Sequence, residues 1–240
     1  MKKLLLASII SGLASVAAAD SFQDFNNNLY AQYQYTGNNG ASPAMDLNQY
    51  GLGGTFQSKN NVWLNANAVA TSGDGSNGNN SSNIGFAVGY AFQFFGDENQ
   101  GFQVIPHANF ATQSVTGANG GSATNYVYGL GVKPEYRLLN ALKVALDVNL
   151  AGTQTSTNNN NNQQLFVFSV TPGIQYDISK TVMLGLDYTY TANMNNNSAN
   201  NNATNNLSTV TAKVVTYSKL TSLLYEIKAC FSIKQAFSIT

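Results

Sequence analysis

Ten stretches of the chain alternate apolar and polar residues, and a polar break follows each. The run from Leu142 to Leu150 is the clearest. Leu142, Val144, Leu146, Val148 and Leu150 fall on one face, and Lys143, Asp147 and Asn149 on the other. Successive side chains of a strand point to opposite sides, so the run predicts a ribbon with one apolar and one polar face. The same period-two pattern predicts strands over about Leu29–Thr36, Asn48–Gln57, Val62–Thr71, Ile84–Gln93, Gly101–Gln113, Asn125–Tyr136, Gln164–Tyr176, Thr181–Thr191 and Leu207–Tyr217, the last being the least regular. Pro106, Pro134 and Pro172 fall inside these segments. Proline removes a ladder donor, so each predicts a bulge or a local break.

The start of the chain changes how the ribbons are read. Lys2 and Lys3 precede a short apolar stretch, Leu4 to Val16, and Ala17-Ala18-Ala19 supply small residues before Asp20. Residues 1–19 therefore read as a secretory signal peptide, and the stretch is too short to serve comfortably as a membrane anchor. No later segment approaches the roughly 18 apolar residues that a transmembrane helix needs. Behind a secretory signal, a ribbon with one apolar face reads as a transmembrane β-barrel strand, with lipid outside and polar packing inside.

The connections alternate in length. Those near Gln57–Asn61, Phe94–Gln100, Arg137–Ala141 and Asp177–Lys180 are short; those near Gly37–Asp46, Ser72–Asn83, Ser114–Thr124, Gly152–Gln163 and Ala192–Asn206 are longer and rich in Asn, Gly, Ser and Thr. Short periplasmic turns and long external loops reproduce that alternation if the polar segment Asp20–Asn28 is periplasmic and the chain crosses ten times. In that topology Tyr35, Phe86, Phe110, Tyr126, Tyr128, Phe166, Phe168, Tyr188 and Tyr190 fall near the external ends of their strands. Phe56, Phe92, Phe102, Tyr136 and Tyr176 fall near the periplasmic ends. Two aromatic bands match two membrane interfaces. A soluble sandwich or lipocalin-like barrel also has one polar face, so the bands, the leader and the loop asymmetry carry the membrane reading. The expected fold is all-β: a closed antiparallel up-and-down transmembrane barrel of about ten strands, with eight as the alternative, spanning residues 20–217.

With segments such as Tyr126-Val127-Tyr128-Gly129-Leu130-Gly131-Val132 and Val182-Met183-Leu184-Gly185-Leu186-Asp187-Tyr188, the region Asp20–Tyr217 resembles small Gram-negative outer-membrane β-barrel proteins. That group includes opacity-type surface antigens and the barrel portions of OmpA-like proteins. The resemblance implies a place in the outer membrane, contact with its lipid, insertion by the barrel assembly machinery, and a surface ligand or host partner that the sequence does not identify. The shared features are architectural, so no catalytic residue is carried over. Members often have eight strands and end on an aromatic residue; this chain ends on Ile239-Thr240. Residues 218–240 contain no Asn and no Gly. Leu220, Leu223, Leu224 and Ile227 have helical spacing, which Phe231, Ile233, Phe237 and Ile239 do not continue. A periplasmic appendage, an altered reading frame and an extra hairpin all remain open for this tail; the hairpin lacks a turn signal.

Composition narrows the chemistry. Formal net charge is +0, which gives no electrostatic case for nucleic acid. The single cysteine, Cys230, excludes an intramolecular disulfide and a Cys-based metal cluster. Asp74-Gly75-Ser76-Asn77-Gly78-Asn79 lacks the later acidic ligand of a calcium loop, and Gly51-Leu52-Gly53-Gly54 opens no helix that could hold phosphate. No metal or cofactor site is expected. His107, the sole histidine, sits mid-strand on the inner face without a visible nucleophile or orienting acid, so it reads as a lumen residue rather than a catalytic base. Lys133, Glu135, Lys143, Asp147 and Asp187 share that inner face. With His107 they form the candidate lumen cluster, either a salt-bridged plug or a lining that selects ions. Two function classes follow: a non-enzymatic surface protein whose barrel holds long Asn-rich loops, and a narrow pore or transporter for small solutes.

Overall fold

The computed structural model describes residues 26–39, 47–71, 80–96, 100–116, 122–138, 141–157, 163–179, 182–194 and 206–217. The expected signal peptide, most of the long connections and the tail lie outside the described residues. The described chain forms β1 (Asn28–Asn39), β2 (Leu47–Gln57), β3 (Val62–Thr71), β4 (Asn80–Tyr90), β5 (Phe92–Gly96), β6 (Gly101–Thr116), β7 (Ser122–Leu138), β8 (Leu142–Thr157), β9 (Gln163–Asp177), β10 (Val182–Asn193) and β11 (Asn206–Tyr217). No helix among the described residues is long and apolar enough to cross a membrane, which says nothing of a crossing by strands.

Pairing is antiparallel throughout. β1 meets β11 from Asn28↔Tyr217 to Asn39↔Asn206, and β4 meets β6 from Asn80↔Thr116 to Gly89↔His107. With these two seams every wall strand has two neighbours, so the sheet closes into a barrel. β4 and β5 are one wall strand interrupted at Ala91, and counting them once gives ten strands around the ring. The ring closes within Asn28–Tyr217, so the tail is not needed to complete it.

The prolines break pairing without shifting it. Gly89↔His107 and Phe92↔Val104 keep one register on either side of the β4–β5 gap, which lies beside Pro106. Pairing between β7 and β8 lapses at Lys133–Pro134 and resumes unchanged at Glu135↔Ala145. Pairing between β9 and β10 lapses beside Pro172 and resumes at Tyr190↔Val170. The missing proline N–H accounts for each lapse. The register shift lies elsewhere, between Gln93 and Phe95, and it leaves both Phe94 and Phe95 exposed. Several strand ends differ from expectation: β1 runs on to Asn39 and β4 starts already at Asn80. β6 pairs with β7 as far as Thr116↔Ser122, and β8 with β9 as far as Thr155↔Gln163, well into segments expected to be loops. Backbone pairing needs no apolar face, and Thr favours strands. At the opposite end β7 continues to Leu138.

The faces follow the alternation. Leu52, Ile84, Leu130, Leu150 and Leu186 are exposed, while Gln103, His107, Glu135 and Lys143 are buried. Phe86, Phe110 and Tyr128 lie side by side on adjacent strands in an outward band toward the long connections. Phe94, Phe95, Phe102 and Tyr136 cluster at the short-turn end, with ring centroids 5.6–6.4 Å apart. The interior is not wholly polar. Trp63, Ala87, Ala91 and Ile105 form a small buried cluster, and Met183 and Val215 are also buried.

Glycine makes the tight inner wall possible. A Cβ on Gly89 would lie 2.6 Å from the backbone oxygen of Pro106 and 2.8 Å from the Cβ of His107, neither of which can rotate away. A Cβ on Gly173 would meet the Asp187 carboxylate, which can. Gly89→Ala should therefore destabilise the barrel by about 1–3 kcal/mol, more than Gly173→Ala. Urea unfolding of the two variants in micelles measures the difference, and equal stabilities would contradict the packing.

Candidate functional site

The strands bring the inward polar side chains into three connected groups. The first crosses the bore at the short-turn end. Glu135 of β7 is ion-paired with Lys133 at 2.8 Å, and Lys143 of β8 lies 3.6 Å from the same carboxylate oxygen. Its other oxygen accepts from Gln103 Nε2 at 2.8 Å and from Asn26 Nδ2 at 3.1 Å. Asn26 also donates to Gln57 Oε1 at 2.7 Å and accepts from Lys143 Nζ at 2.9 Å. Gln57 and Gln103 meet at 3.2 Å, and the Gln57 N–H donates to Asn27 Oδ1 at 2.7 Å.

Ring order gives these distances their meaning. β7 lies five strands from β1 in either direction, which is diametrically opposite in a ring of ten. Asn26 stands just before β1, yet its side chain reaches β7 and β8. Gln57 and Gln103 join β2 to β6, which stand three strands apart in the ring. Asn26, Gln57, Gln103, Glu135, Lys143 and Arg137 are all nearly inaccessible to solvent. A layer of amides and charges therefore spans the lumen.

The second group centres on His107. Its Nδ1 lies 3.2 Å from the Ile105 carbonyl oxygen, and its Nε2 lies 3.0 Å from Asn149 Oδ1 and 3.6 Å from Asp147. Asn149 accepts from Asn109 at 2.7 Å and donates to Asp147 at 2.6 Å. Gly131 leaves the space in which His107 and Asn149 meet. The third group pairs Asp187 of β10 with Lys213 of β11. Lys213 also lies 5.1 Å from the Tyr30 ring centre, and Lys133 lies 5.3 Å from that of Trp63, so aromatic faces support both cations.

A cavity of about 200 Å³ lies among these groups, bounded by Lys133, Glu135, Asp147, Asp187 and Lys213. Sites for drug-sized ligands run from about 300 Å³ upward, so this chamber suits water and small ions better. Among the described residues no group of His, Cys, Asp and Glu is arranged to hold a metal. His107 bonds to an amide and a backbone carbonyl, a positioning role rather than the activation of a nucleophile.

The structure places all six members of the expected cluster on the inner wall, divided among these three groups: Lys133, Glu135 and Lys143 in the first, His107 and Asp147 in the second, and Asp187 with Lys213 in the third. The expected cluster did not include Asn26, Gln57, Gln103, Arg137, Asn149 and Lys213, although Gln103 and Asn149 were expected on the inner face. Lys213 and Asn149 were visible as inward by parity. Asn26 was not, because it belongs to the polar segment Asp20–Asn28 expected in the periplasm and is instead almost fully buried. Arg137 was expected in a turn; β7 continues past it and buries it.

No family model and no curated protein matches the sequence. Solved structures do match the fold. The outer membrane protease OmpT from Escherichia coli aligns with a TM-score of 0.51 at 8% identity, covering 83% of this chain and 98% of that one. The transport unit of the autotransporter AIDA-I from Escherichia coli aligns at 0.48 and 11% identity, covering 89% and 97%. The NanC porin aligns at 0.44 and 12%, covering 79% and 99%. The likeness to OmpT is one of fold: this chain, too, is a closed antiparallel β-barrel.

Glu135 is the hub of the spanning layer, so its charge should matter most. Glu135→Gln leaves Lys133 and Lys143 without their shared counter-charge and should cost about 3–5 kcal/mol. Asp187→Asn should cost less, because water reaches that pair (side chains 16% and 18% exposed). Unfolding midpoints in micelles rank the two, and the reverse order would contradict the assignment of the hub.

Proposed function

We propose that the protein is an outer-membrane β-barrel that holds its long Asn-rich connections at the cell surface, where they meet a surface or host ligand. Its outer face meets outer-membrane lipid, and its insertion falls to the barrel assembly machinery. One observation carries this reading: a closed barrel with an apolar outer face between two aromatic bands, whose bore is crossed by a hydrogen-bonded polar layer. The apolar face suits lipid, and the layer favours a scaffold over a permanently open pore. A non-enzymatic role fits the partners of His107. The protease activity named for OmpT belongs to that protein.

Heat-shifted gel migration of outer-membrane fractions tests the location, and a soluble protein without a shift would overturn it. Tags inserted at Gly78 and Asn200 should be reached on intact cells; tags reached only after permeabilisation would invert the topology. The lipid-facing assignment has its own test. Leu146→Arg near mid-wall should cost about 2–4 kcal/mol in lipid, whereas Thr116→Arg, beyond the aromatic band, should cost about 0–1 kcal/mol. Folding equilibria in lipid vesicles measure both, and equal costs would contradict a lipid-facing Leu146.

A further inference from the structure

We propose that Asn26 is a displaceable bolt, and that the protein has a second activity, the gated passage of small ions through the lumen. The proposal rests on the membrane-spanning reading above. Asn26 and Asn27 are the members of the first group that precede β1, and of the two Asn26 is the one whose side chain reaches β7 and β8. Gln57, Gln103, Glu135 and Lys143 are each held by a β-ladder. Asn26 can therefore leave without breaking sheet pairing. Its departure strands no charge, because Glu135 keeps Lys133, Lys143 and Gln103, and Lys143 keeps Glu135. It does take from Gln57 Oε1 the shorter of its two donors, leaving Gln103 Nε2 at 3.2 Å as the remaining one.

What lies behind the bolt suits ions. The chamber of about 200 Å³ touches Glu135 and Lys143 of the layer and continues to Gln34, Asn67 and Thr189, on the side of the long connections. Lys133, Lys143 and Lys213 line it together with Glu135, Asp147 and Asp187. Equal numbers of fixed charges of each sign, a few ångströms apart, offer a partner to small cations and anions alike. Passage should show weak charge selectivity.

Full-length protein in planar bilayers bathed in potassium chloride provides the test. The wild type should be shut most of the time, with brief openings. Asn26→Gly removes two bonds to charged groups, Glu135 and Lys143, and should raise the open fraction by roughly tenfold or more while leaving the size of each opening unchanged. Asn26→Gly combined with Gln57→Gly should raise it further. Variants that show the heat-shifted migration of a folded barrel but no rise in open fraction would overturn the bolt, and a chain that never inserts would overturn the membrane reading instead. A second measurement covers poor folding of these variants. In a Cys230→Ser background, Asn26→Cys should react with a charged thiol reagent in the folded barrel. Complete protection of the folded protein, alongside reaction of the urea-unfolded protein, would also overturn the proposal.

Discussion

Backbone hydrogen bonding is the constraint on which the structure depends. On the outer face proposed to meet lipid, an unpaired N–H or C=O would find no water, and each such group is costly. Neighbouring strands are the remaining partners, so the sheet has to meet itself. It does so through two long seams, β1 with β11 and β4 with β6. The prolines show how firmly this holds. Pairing lapses beside Pro106, Pro134 and Pro172, yet the register on either side is the same. A slip by one residue would turn every apolar side chain of the strand inward and every charge outward.

Closure then sets the interior problem. A ring of ten strands encloses more space than apolar side chains of one wall fill, and the chain meets this with two kinds of packing. On the side of β3 to β6, Trp63, Ala87, Ala91 and Ile105 make a small apolar core. Elsewhere long polar side chains reach across and satisfy one another, with Glu135 serving four partners from three elements and from the segment before β1. Such a network holds opposite walls together only while every member is paired. It also accounts for the charges inside the strands, Lys133, Glu135, Arg137, Lys143, Asp147, Asp187 and Lys213, lying on the inner face.

Strand positions and faces were legible because period two is a local signal repeated many times. Leu142–Leu150 alone fixes which residues of β8 face inward. Strand ends were less legible: Ser114–Thr116 and Gly152–Thr157 read as loop by composition, yet they pair. Inward placement of Lys133, Glu135, Lys143, Asp147, Asp187 and His107 followed from parity. Their partners did not, because a contact between residues five strands apart depends on ring size and register, which no single segment encodes. Asn26 illustrates the limit. It is one asparagine among many, and only closure brings β7 and β8 within its reach. Ile105 shows a signal that went unused, since Val104 and Ile105 together break the alternation where the wall turns apolar inside.

The central claim is a closed ring, and cross-strand amide contacts measure it most directly. Nuclear Overhauser effects recorded on the folded protein in micelles should link the strands at both seams, around Ala31↔Val214 between β1 and β11 and around Phe86↔Phe110 between β4 and β6. Contacts at both seams are the predicted result. Contacts along consecutive hairpins with none between β1 and β11 would describe an open sheet and contradict the account.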